Sequence, residues 1–131
     1  MLLKKLIENY PRDLKNLRVA GLTINSKEVK KGYIFFAIKG HKLNGENFID
    51  QAIKKGASLI VCSSKCKFKS KKKILFKTKN VRKTLNIVAS KFFKLKPNNI
   101  FAVTGTNGKT SVADFFYQIL KFNKVPVATI G

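Results

Sequence analysis

Ile100-Phe101-Ala102-Val103-Thr104-Gly105-Thr106-Asn107-Gly108-Lys109-Thr110-Ser111 is the stretch from which the fold can be read. Four apolar residues of strand composition run into a loop with two glycines. From Val112 to Phe122 apolar residues then recur at helical spacing, and Pro126-Val127-Ala128-Thr129-Ile130 has strand composition again. Strand, loop, helix, strand is a βαβ unit, so the expected class is α/β with a parallel sheet. The loop has its own chemistry. Glycines let backbone N–H groups turn toward an anion without a steric penalty, and the helix that follows offers its positive end to the same place. Lys109 can reach the β- and γ-phosphates of a bound nucleotide, and the Thr110 hydroxyl can serve Mg²⁺. Gly105, Thr106, Asn107, Gly108, Lys109, Thr110 and Ser111 are therefore the candidate ATP-binding residues, with Lys109 and Thr110 as the catalytic pair and Thr110 as the metal ligand. The strict phosphate-loop pattern has Gly five residues before Gly108, where this chain has Val103. The alternative is a plain strand-to-helix turn capped by Asn or Thr.

Upstream, Lys96-Pro97-Asn98-Asn99 breaks the pattern, because proline ends helices and polar residues surround it. The domain boundary is placed there: residues 1–96 form a small α/β domain with about three helices, and residues 97–131 open a second one. Within the first, Leu2, Leu3, Leu6 and Ile7 have the spacing of a short amphipathic helix. Leu17 to Ile24 reads as a strand, and Tyr33 to Ile38 as a strand buried on both faces. Phe48, Ile49, Ala52 and Ile53 read as a helix that Gly56 stops. Ser58–Cys62 and Ile74–Phe76 read as short strands. Asn80 is set to cap a helix running to Leu95, with Val81, Leu85, Val88, Ala89, Phe92 and Phe93 as its apolar stripe.

Composition narrows the class. The chain has 28 basic and 6 acidic residues, a net charge of +22, which raises nucleic acid as a partner. The basic residues are almost all lysine, with only Arg12, Arg18 and Arg82 as arginine, and they are spread through every segment. Base and phosphate recognition favours the guanidinium fork, so a generally anionic partner fits better than nucleic acid. No apolar run reaches the ~18–20 residues of a membrane span. The N-terminus is too short and too interrupted by charge for a signal peptide, so a cytoplasmic, monomeric protein is expected. Cys62 and Cys66 lack the further ligands a metal site needs and read as reduced thiols.

Val103-Thr104-Gly105-Thr106-Asn107-Gly108-Lys109-Thr110-Ser111 resembles the ATP loop of the Mur ligases. Thr23-Ile24-Asn25-Ser26-Lys27, the run Val29 to His41, Asn44-Gly45 and Phe48-Ile49-Asp50-Gln51-Ala52 resemble the N-terminal domain of the branch that adds the third amino acid of the peptidoglycan stem. The closing Ala128-Thr129-Ile130-Gly131 fits the same branch, and the resemblance covers essentially the whole chain. It implies a uridine-nucleotide-binding domain followed by the start of a P-loop, parallel-sheet ATPase domain. The implied reaction is ATP-dependent joining of a diamino acid to UDP-N-acetylmuramoyl-L-alanyl-D-glutamate through an acyl phosphate, with ATP and Mg²⁺ required. The residues matching those that hold the uridine nucleotide are Ile24, Ser26, His41, Lys42 and Leu43. Read on their own, Ile24 and Leu43 can equally be core residues, Ser26 a turn-shaping hydroxyl and His41 an idle loop side chain. The family commonly has Asp-Ser-Arg where this chain has Asn25-Ser26-Lys27; lysine keeps the charge but loses the planar fork a bidentate contact would need. On this resemblance the chain is the N-terminal portion of such a ligase, inactive alone because the amino-acid-binding domain and further metal ligands lie beyond it. The alternatives are a non-catalytic nucleotide-binding remnant, the sister ligase that adds the terminal dipeptide, and a basic RNA-associated protein.

Overall fold

The computed structural model describes residues 1–8, 10, 12–40, 43–70 and 74–130. The chain divides into two compact units, Met1–Leu95 and Lys96–Gly131. The first unit is built on a four-stranded parallel sheet in the order β1-β2-β3-β4. The strands are β1 (Gly21–Thr23), β2 (Tyr33–Phe36), β3 (Leu59–Ser63) and β4 (Leu75–Thr78). Helix α1 (Ile49–Lys54) lies between β2 and β3 in sequence, and α2 (Val81–Phe92) follows β4.

The alternation of side chains along β2 and β3 explains the layering. Ile34 and Phe36 of β2, with Leu59 and Val61 of β3, enter one apolar cluster with Leu3, Leu6 and Val88 of α2. Their neighbours Phe35, Ile60 and Cys62 enter the other, with Ile49 and Ala52 of α1. A parallel strand covered on both faces needs this unbroken apolar run, because every residue faces a core. Phe35 and Phe36 are wholly buried, and each contributes about 1.5–3 kcal/mol of apolar transfer. Gly45 is fixed by close approach: a Cβ there would stand 2.7 Å from the Ile38 backbone N and O.

Several boundaries differ from the sequence expectation. The first residues form a single 3-10 turn, Leu3–Lys5, because the N-terminus is committed to pairing: Leu2 bridges Arg18, and the Val19 N–H donates to the Met1 carbonyl at 2.7 Å. That pairing also takes Arg18 and Val19 out of the expected strand, so only Gly21–Thr23 joins β2. Helix α2 is capped as expected, the Asn80 side chain accepting the Lys83 N–H at 3.0 Å, but it ends at Phe92, leaving Phe93 and Leu95 exposed.

In the second unit the helix is present as α3 (Lys109–Phe122). It ends at Phe122, and the chain leaves it through Lys124 in the left-handed region (φ 59°), with Val125 N–H to Leu120 O and Lys124 N–H to Lys121 O closing the exit. Neither residues 100–103 nor 126–130 are paired into a sheet among the described residues. A strand needs a neighbour to satisfy its backbone, and two short parallel segments bury too little surface to order each other. Phe101 rests against Phe116 of α3, ring centroids 5.0 Å apart, while Phe115, Ile119 and Phe122 stay exposed.

Candidate functional site

Two groups of candidate residues were read from the sequence, and they fall in different units. In the first unit, β1 delivers the chain into a 3-10 turn at Ser26–Glu28. Asn25 shapes it: its side-chain oxygen accepts the Lys27 N–H at 3.0 Å and its amide donates to Glu28 Oε1 at 3.0 Å. Asparagine thus caps this turn as aspartate would, with a neutral acceptor. Ser26 is buried, and its hydroxyl donates to Gln51 Oε1 of α1 at 2.6 Å. Four residues on, at the C-terminal cap of α1, Lys55 Nζ donates to the Lys27 carbonyl at 2.7 Å. Helix α1 and its C-terminal cap therefore hold the turn at two points. Gln51 and Lys55 were not among the sequence candidates; their signal is the four-residue spacing on a helix, which names a shared face but not what that face touches.

Ile24 and Leu43 are 60% and 68% exposed, which removes the reading of either as a core residue. The Gly40 N–H donates to the Leu43 carbonyl at 2.8 Å, so Leu43 stands at the end of a closed loop after β2. His41 and Lys42 lie outside the described residues.

In the second unit, residues 105–111 are all exposed. Gly108 holds φ +75° immediately before α3, a conformation that costs an L side chain about 1–2 kcal/mol, and nothing lies within 4 Å of where a Cβ would be. The first N–H groups of α3 have no helical partner of their own and receive no side-chain cap. The Lys109 ammonium donates to the Gly105 carbonyl and, at 3.3 Å, to the Thr106 carbonyl. The geometry is an open anion cradle whose cation lies folded on its own loop. Uncapped N–H groups and one ammonium are donors of the kind a phosphate chain accepts. For Mg²⁺ the fit is partial: among the described residues no group of three His, Cys, Asp or Glu could hold a metal. Thr110 offers one neutral oxygen to an ion that wants six, so it fits only as one ligand of an ion arriving with phosphate.

Cys62 and Cys66 are free and buried. The Cys62 thiol is pushed up to about 12, first by burial, then by the neighbouring Cys66 thiol and by Glu46, with Lys77 pulling the other way. A thiol so held is a poor nucleophile, consistent with a core role. No helix among the described residues is long and apolar enough to cross a membrane.

Comparison with known proteins adds independent evidence. The family model described as "Mur ligase family, catalytic domain" matches residues 18–104. A UDP-N-acetylmuramoyl-L-alanyl-D-glutamate–2,6-diaminopimelate ligase from Rickettsia prowazekii is 40% identical over 126 residues, covering 94% of this chain and 26% of that protein. The enzyme of the same name from Aquifex aeolicus is 44% identical over 106 residues, covering 79% and 21%. Among solved structures, the MurF ligase from Thermotoga maritima in complex with ADP matches with a TM-score of 0.64 and 30% identity, covering 81% of this chain and 24% of that one. The chain spans about a quarter of the length of these curated relatives.

Proposed function

The chain belongs to the Mur ligase family, and we propose that it carries the uridine-nucleotide-binding unit and the ATP loop of a ligase that joins 2,6-diaminopimelate to UDP-N-acetylmuramoyl-L-alanyl-D-glutamate. The observation that supports this most is the loop before α3. Gly108 is in the left-handed region, the first-turn N–H groups are uncapped, and the Lys109 amine is held only by exposed loop carbonyls. The identity of the acceptor and of the incoming amine is supported by the names of the relatives at 40% and 44% identity. Those relatives favour the diaminopimelate-adding reading over the sister ligase, to which the structural likeness at 30% identity also extends.

Each residue has a definable part. The loop N–H groups bind and orient the phosphates of ATP. Lys109 exchanges its two carbonyl partners for phosphate oxygens and neutralises charge on the transferring group. Phosphoryl transfer depends mainly on such positioning and neutralisation. Thr110 would supply one ligand to Mg²⁺, whose charge would offset that of the phosphates. In the first unit, Ile24 and Leu43 offer exposed apolar surface to the uridine nucleotide, and Ser26, His41 and Lys42 offer polar groups. The setting is the cytoplasm, where ATP is available, and the protein acts as a monomer.

The loop is tested by titrating ATP into the chain by calorimetry. Lys109→Ala is expected to weaken binding by roughly tenfold, the loss of a charge-assisted hydrogen bond, and Lys109→Arg not to restore it. Unchanged affinity in Lys109→Ala would remove the loop from ATP binding. With ATP, Mg²⁺, the UDP-dipeptide and diaminopimelate, the 131 residues alone are expected to form no amide bond; product above background would contradict the division of labour proposed here.

A further inference from the structure

Two Asn-Gly pairs occur in the chain, Asn44-Gly45 and Asn107-Gly108. The dipeptide has a chemistry of its own. The backbone nitrogen of the residue after an asparagine can attack the side-chain carbonyl carbon, and glycine, with no Cβ, hinders that approach least. In a folded protein the attack depends on what holds the two groups, and here the two pairs are held differently.

At Asn44-Gly45 both groups are committed. Asn44 Oδ1 accepts the Glu46 N–H at 3.1 Å, and the Gly45 N–H donates to the Ile38 carbonyl at 2.9 Å. Gly45 also lies so close to the Ile38 backbone that a Cβ would stand 2.7 Å from it. Ring closure there breaks two hydrogen bonds and turns the peptide against packed backbone. At Asn107-Gly108 both residues are exposed. Among the described residues no hydrogen bond engages the Asn107 side chain or the Gly108 N–H. Nothing lies within 4 Å of where a Gly108 Cβ would be. The nitrogen and the carbonyl carbon have neither partners to give up nor neighbours to displace.

We propose that Asn107 is a site of spontaneous deamidation. The Gly108 nitrogen bonds to Asn107 Cγ, the Cγ–Nδ2 bond breaks, and ammonia leaves with the proton that the Gly108 nitrogen gives up. Water then opens the five-membered imide at either carbonyl. Opening at Cγ leaves aspartate. Opening at the main-chain carbonyl leaves isoaspartate, whose backbone runs through the side chain and is longer by one carbon. The net exchange is amide and water for carboxylate and ammonium, with no oxidant or reductant. Either product places a carboxylate two residues from Lys109 and beside the uncapped first turn of α3. Negative charge is favoured at that end of a helix, so the loop then holds an anion of its own where it would take a phosphate. This loss of phosphate binding rests on the function proposed above; the conversion of Asn107 does not.

The experiment incubates the full chain at physiological temperature and mildly alkaline pH, folded and in concentrated urea. Peptide mass spectrometry follows the exchange of amide for acid at each asparagine. In urea, where neither pair is held, Asn44 and Asn107 should convert at similar rates. In the folded chain Asn107 should convert roughly tenfold or more faster than Asn44, whose two hydrogen bonds must first break. Equal rates in the folded chain, or an Asn107 that stays intact while the urea sample converts, would overturn the proposal. Calorimetry with ATP then reads the consequence. Asn107→Asp, which adds the charge without the longer backbone, should bind ATP roughly tenfold more weakly than the unmodified chain, and saturating ATP should slow conversion at Asn107 while leaving Asn44 unchanged. Fast conversion at Asn107 in a chain that binds no ATP keeps the modification site and removes the ATP reading. ATP binding that Asn107→Asp leaves unchanged keeps the ATP reading and removes the consequence drawn for the loop.

Discussion

Lys109 and Ser26 show how differently two candidate residues can be placed. The Lys109 amine lies on exposed carbonyls, a position from which it can be drawn away by a stronger anion. The Ser26 hydroxyl is buried and committed as a donor to Gln51, so it can meet a ligand only as an acceptor or by changing partners. Residue type and loop context named Lys109, and the family resemblance named Ser26; the partner at position 51 is a tertiary fact that spacing in the sequence does not contain. Exposure of Ile24 and Leu43 was equally hidden, because an apolar residue after a strand can turn either way. Cys62 gives a direct test of burial. Its raised value means the unfolded chain releases the thiol proton near pH 9 while the folded chain holds it to about 12. Between those values the unfolded state binds fewer protons, so stability falls as pH rises, by about 1.4 kcal/mol per unit at most. Urea midpoints measured from pH 8 to 11 should fall, and Cys62→Ala should flatten the decline. An unchanged slope in the variant would show that this thiol is not the group responsible.

Elements were legible where the periodic signal and the packing agree. The apolar run at Tyr33–Ile38 became β2, buried on both faces, and the stripe beginning at Val81 became α2. Both carry information in a single segment: a parallel strand is apolar throughout, and an amphipathic helix repeats near 3.6 residues. The segments at 100–103 and 126–130 have strand composition without strand pairing, because a strand is completed by its neighbour and composition says nothing of whether one is present. The N-terminal turn failed for the opposite reason, since Leu2 and Val19 found each other across a long sequence gap. Helix capping is the cleanest element-level test. Asn80→Ala removes the acceptor of the Lys83 N–H and should lower the stability of the first unit by about 1 kcal/mol in urea unfolding. Asn80→Asp should keep most of it; a loss as large as that of alanine would mean the cap is not what holds this end of α2.

At the scale of the whole molecule, the chain divides into two compact units, Met1–Leu95 and Lys96–Gly131. The first has a sheet covered on both faces, and the second leaves most of the α3 stripe exposed. Limited proteolysis should therefore cut between Lys94 and Asn99 and leave a resistant fragment of the first unit; uniform resistance across that segment would argue for one cooperative body. The family and the α/β parallel sheet stand on the sequence match and on the structural likeness together, while the reaction is proposed for the chain from its loop and its relatives. The account depends most on the first unit recognising the uridine-linked substrate. The direct measurement is an amide-shift titration of the chain with UDP-N-acetylmuramoyl-L-alanyl-D-glutamate at physiological salt. The account predicts saturable binding with the largest shifts at Ile24–Lys27 and His41–Leu43. Shifts confined to the lysine-rich stretch from Lys65 to Lys73, growing without saturation, would contradict it.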